Sequence, residues 1–173
     1  TFAGNKNRPP GQPARSPNIW TGDEADAHRA AFLSEGRIRA DGKNPGLDVP
    51  VLGGLHGDIP LEPGAGALVA DVIVDRGLSV VLDMSQFEAD ADKARFARAW
   101  AERFFFRKKA RPSPVHVFLE EGQEFIPERP QREDNQMLHA FTRMWKSGRN
   151  FGIGGSIISQ RPPEVNKKVL NLA

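Results

Sequence analysis

A chain of 173 residues and 19.1 kDa has the length of one ordinary domain and can bury a core without covalent staples. Hydrophobic residues make up 39%, charged residues 27%, and mean hydropathy is −0.48, a balance that excludes a wholly disordered chain and leaves no apolar run long enough for a membrane helix. Cysteine is absent, which excludes disulfides, thiolate nucleophiles and cysteine-bound zinc and suggests a reducing, cytoplasmic setting, while a net charge of +2 is too mild to announce nucleic-acid binding by itself.

Residues 1–46 read as an irregular leader. Pro9, Pro10, Pro13 and Pro17, with Gly4 and Gly11, interrupt both helix and ladder formation. One short helix is predicted from Asp23 to Leu33, where Asp23, Glu24 and Asp26 suit a helix N-terminus. The chain opens Thr1-Phe2-Ala3 with neither methionine nor a secretory signal pattern, so it is expected to be a piece of a longer polypeptide.

From Leu47 the text changes. Val49 to Leu52 is a short apolar run closed by Gly53-Gly54, readable as a strand end. Ala65 to Asp75 carries Leu68, Val69, Val72 and Ile73 at helical spacing, with Gly77 as a stop. Leu78 to Met84 is a nearly continuous apolar run, which predicts a strand covered on both faces. Ala91 to Lys109 sets Phe96, Trp100 and Phe104 four apart on a helix of about five turns. Pro112 and Pro114 end it. Val115 to Leu119 is the next buried strand, Asn135 to Lys146 the next amphipathic helix, and Ile153 to Ser159 the last strand. This alternation predicts an α/β fold from residue 47 to the end: a mostly parallel sheet with helices on both faces.

In such a sheet, ligands bind beyond the carboxyl ends of the strands. Three predicted strands turn polar there, at Asp83 and Ser85, at Glu120 and Glu121, and at Ser159 and Gln160. Apolar residues followed by two acids, as in VHVFLEE, is the layout of a Walker B element, in which a carboxylate supports Mg²⁺ on a nucleotide. Two acids at a solvated strand end would give the same text, and both readings stand at this point.

Three further stretches extend the pattern: VFLEEGQEF, SGRNFGIG and SQRP. With weaker support from VLGGLHGDIPLEP and VVLDMS, residues 47–173 resemble the HerA/FtsK-like P-loop ATPases, in particular the HerA-type helicases and DNA translocases. The resemblance implies a partial RecA-like core, ATP and Mg²⁺ as cofactors, DNA as partner, and a homo-oligomeric ring in the parent, with a nuclease among its partners. Glu120 would be the Mg²⁺-supporting acid and Glu121 the base that orients water. Gln160 would be the sensor near the γ-phosphate. Arg149 would reach a neighbouring subunit's nucleotide, where an arginine is worth ~10³–10⁵ in rate in other NTPases. Arg161 is a second candidate for that role.

One departure from the family is plain. A phosphate loop needs G-x-x-x-x-G-K-[ST], and the one Gly-Lys pair, Gly42-Lys43, is followed by Asn44 and preceded five positions earlier by Arg37. The resemblance therefore implies the C-terminal part of an ATPase core, with weak or undetectable hydrolysis by this chain alone. A non-catalytic α/β interaction module is the alternative, and a carboxylate-metal enzyme built on Asp83 and Glu120 a third reading.

Other features carry local expectations. His116 is expected in the core, and the histidines at 28, 56 and 139 show no metal-ligand spacing. The GGLHGD run at 53–58 is expected to be a turn, and Gly152, Gly154 and Gly155 to permit close packing. Arg107, Lys108, Lys109 and Arg111 read as cations offsetting a helix C-terminus. Glu124, Glu128, Glu133 and Asp134, with Arg129 and Arg132, read as a solvated, mobile connection.

Overall fold

The computed structural model describes residues 49–172 except His56 and Glu133, together with Ala30 and Ser34, which are helical and exposed. The rest of the helix predicted at 23–33, and the leader around it, lie outside the described residues. The elements in order are β1 (Val51–Gly53), α1 (Gly66–Arg76), β2 (Val81–Asp83), α2 (Asp90–Ala110), β3 (Val115–Leu119), α3 (Asp134–Gly148), β4 (Ile153–Ile157) and α4 (Lys167–Leu170). The strands pair in parallel as predicted, but as two separate two-stranded sheets. Val51 faces Val81 in one, and Val115 faces Ile153 in the other. The apolar run at 78–84 yields only three strand residues, because β1 offers only three partners.

The helices form where the apolar spacing predicts, to within two residues. Gly77 ends α1 in the left-handed conformation at φ 64°, its N–H bonding to Ile73 O. α2 supplies most of the core through Phe96, Trp100, Phe104 and Phe105, with Trp100 stacked on Phe104 at 4.8 Å. α1 lies so close to α2 that a side chain at Gly66 would strike Phe96 O. Across this contact Arg103 grips Asp71 with two hydrogen bonds of 2.7 and 2.9 Å, and Arg107 and Arg111 both reach Asp75.

The cationic cluster closes the last turn of α2, as expected of charges that offset a helix C-terminus, and its members also find partners in other segments. Lys108 is 2% exposed and donates from Nζ to Ser113 O and Oγ, tying the helix end to the loop that enters β3. Burial holds its pKa below the ordinary 10.5. Lys109 lies over the Phe105 ring. Acidic residues after β3 are also pinned. Lys93 pairs with Glu124 at 2.7 Å, Glu128 accepts from Lys167 N, and Phe125 and Ile126 are buried.

α3 covers one face of the β3–β4 sheet. Trp145 lies against Gly155, and Gly148 against Ile153. In a parallel pair, facing residues project to the same side. The opposite face, with His116, Phe118, Gly154 and Ser156, is not covered among the described residues, and Phe118 is 67% exposed. The expected flanking helices are present, but among the described residues they cover one face of the β3–β4 sheet rather than both. His116 is correspondingly exposed rather than in the core, with Nε2 3.0 Å from Ser156 Oγ.

Candidate functional site

β3 and β4 end together, and the pairing continues past both strands. Ile158 N donates to Leu119 O, and Gly122 N donates to Ile158 O, each at 2.9 Å. These two bonds hold the turn after β3 against the segment after β4. A side chain at Gly122 would come 2.5 Å from Ile157 Cγ2, so the turn closes this tightly only with glycine there.

Between them Glu121 adopts φ 49° and ψ 49°, the one non-glycine positive φ among the described residues. Left-handed backbone at a side chain of this size is costly and tends to occur where the surroundings fix a functional group. This conformation breaks the alternation expected of adjacent strand residues. Glu120 is left exposed, while Glu121 is half-buried and turned toward β4.

Both Glu121 carboxylate oxygens receive amide hydrogens. Gln160 Nε2 donates to Oε1 at 3.4 Å and Gln123 Nε2 donates to Oε2 at 2.7 Å. Ser159 Oγ donates to Gln123 Oε1 at 2.5 Å and accepts from Arg161 N at 3.0 Å. The fold therefore brings together Glu121 and Gln160, two of the predicted residues, and adds Gln123 and Ser159. Gln123 was missed in the sequence; its signal was a lone uncharged polar residue two after the second acid, across a glycine.

Arg161 sits at the same end but directs its guanidinium to Glu164, 3.6 Å away. Arg149 opens the turn before β4 and is exposed. The whole of β4 separates it from Gln160, about 16 Å at ~3.3 Å per residue. The structure does not bring it to the Glu121 pair. Asp83 belongs to the other sheet, where its Oδ1 accepts from Ser85 N at 2.9 Å. Among the described residues no group of three or more histidines or acids could hold a metal ion. No described helix is long and apolar enough to cross a membrane.

The donor set partly fits magnesium nucleotide. Glu120 offers an exposed carboxylate, the hard oxygen that suits Mg²⁺ held through its waters, and Gln160 and Glu121 offer an amide and a carboxylate in contact with each other. The sequence has no phosphate loop to cradle the remaining phosphates.

No family model matches the chain. Among curated proteins it is similar to the DNA double-strand break repair helicase HerA of Pyrococcus furiosus, 36% identical over 58 residues, which is 34% of this chain and 10% of that protein. The chain thus matches about a tenth of the length of this relative, and the relationship to HerA is partial.

Proposed function

We propose that residues 47–173 form the Walker B and sensor part of a HerA-like ATPase whose parent couples ATP hydrolysis to movement on DNA. The observation that carries this reading is the Gln160 amide on the Glu121 carboxylate, at the joint carboxyl end of two parallel strands. The partial similarity to a helicase supports it independently.

In this reading ATP with Mg²⁺ supplies the phosphoryl group and its charge neutralisation. Glu121 accepts a proton from the attacking water, and Glu120 accepts hydrogen bonds from the cation's water shell. Gln160 senses the γ-phosphate beside Glu121. Arg149, far along β4, suits the nucleotide of a neighbouring protomer in a homo-oligomeric ring, with Arg161 as the second candidate. DNA is the partner of that ring, a nuclease a further one, and the setting is a reducing cell interior.

Without a phosphate loop the chain by itself binds and hydrolyses Mg-ATP weakly or not at all. The test compares Mg-ATP binding and turnover for the chain and for a form that carries a phosphate loop upstream. Gain of turnover in the second form, and its loss in Glu121→Gln, supports the proposal. Failure of both forms to bind favours the second reading, a non-catalytic α/β interaction module, which the exposed Phe118 and Ile158 on the open sheet face recommend.

A further inference from the structure

We infer that Gln123 and Ser159 are positioning residues that hold the Glu121 carboxylate, an inference that rests on Glu121 being the water-activating acid. The polarity of the network allows one arrangement only. An ionised carboxylate accepts and cannot donate, so Gln123 must turn its NH₂ toward Glu121 Oε2. Its Oε1 then faces Ser159, whose hydroxyl must donate, leaving the Ser159 oxygen to accept from the Arg161 backbone N–H. The chain of bonds begins on backbone beyond β4 and ends on the acid beyond β3.

The charged groups nearby do not compete for this carboxylate. Glu124 is held by Lys93 from α2, the Arg161 guanidinium faces Glu164, and Glu120 is exposed. Gln160 lies at 3.4 Å from one carboxylate oxygen, against 2.7 Å for Gln123 at the other. A bond of 2.7 Å is the stronger constraint. Gln123 therefore fixes the rotamer of Glu121, and the looser Gln160 remains able to exchange its partner. Ser159 sets the amide of Gln123 and so acts on Glu121 at one remove.

The test is ¹⁵N relaxation of the side-chain amides in the full chain, which requires no nucleotide. Wild-type Gln123 Nε2 is expected to behave as rigidly as ordered backbone, with an order parameter of about 0.85. Ser159→Ala lowers it to the flexible range, below about 0.6, and Ser159→Thr, which keeps the hydroxyl, restores it. Glu121→Ala loosens Gln123 in the same way, while the backbone spectrum reports that each variant is folded. A mobile Gln123 in the wild type, or one that stays rigid in Ser159→Ala, overturns the inference. The two readings fail separately. A rigid Gln123 in a phosphate-loop form that ignores Mg-ATP retires the proposed function and keeps the tether. A mobile Gln123 in a form that hydrolyses ATP retires the tether alone.

Discussion

The indole of Trp145 lies directly over Gly155, so closely that a Cβ at residue 155 would come 2.9 Å from the ring carbons Cε2 and Cζ2. This contact seats α3 on the β3–β4 sheet, whose carboxyl end carries the candidate site. Gly155→Ala is expected to push the indole away, at a cost of about 1–3 kcal/mol. Chemical denaturation should show a lower midpoint with an unchanged slope.

Gly122 plays the corresponding part at the turn. Gly122→Ala brings a methyl to 2.5 Å from Ile157 Cγ2 and works against the Gly122 N to Ile158 O bond. The expected loss is again about 1–3 kcal/mol, accompanied by chemical-shift changes at Glu121 and Gln160. Glu120→Ala, at an exposed position, should stay within about 0.5 kcal/mol of wild type.

Two phenylalanines contrast the core with the open face of the β3–β4 sheet. Phe104 is 1% exposed in the core, and Phe104→Ala should cost about 3–5 kcal/mol. Phe118 is 67% exposed, and Phe118→Ser should cost about 0.5 kcal/mol or less. Thermal denaturation of both variants measures the difference. A large loss from Phe118→Ser would mean that something covers the outer face in solution.

Lys108 makes stability depend on alkaline pH. Burial lowers its folded pKa below the unfolded 10.5, so between those two values the unfolded chain holds the proton and the folded chain does not. Stability from this group therefore rises with pH through the folded pKa and levels off above 10.5. The neutral amine still donates to Ser113. The stability of wild type relative to Lys108→Met is expected to increase from pH 7 toward 10.5, as followed by denaturant midpoints.

Charge pairing between α1 and α2 should respond to salt. Asp71 lies between Arg103 and Arg107, and its hydrogen bonds raise the pKa of the Arg103 guanidinium. Asp71→Asn is expected to lower Tm, with the gap to wild type narrowing as the salt concentration approaches ~1 M, where the Debye length is about 3 Å. A gap that does not change with salt would assign the effect to shape rather than charge.

The sequence by itself determined the helices and the order of the elements, because apolar spacing at 96, 100, 104 and at 137, 141, 144 specifies a buried stripe whatever it packs against. It also determined that β3 and β4 end in acid and amide, and that no phosphate loop is present. Only the tertiary structure decided which polar groups meet. Glu121 reaches Gln160 because a left-handed residue turns it out of the strand's alternation, and Gln123 meets Ser159 across 36 positions of chain. The open face of β3–β4 was equally illegible, since an apolar strand reads the same whether one face or two find a partner. The acids at 124 and 128 read as solvated for the same reason: their partners, Lys93 and Lys167, come from other elements, and short-range spacing carries no signal of them, just as the basic run at 107–111 was legible as a helix end but not in its bonds to Asp75 and Ser113.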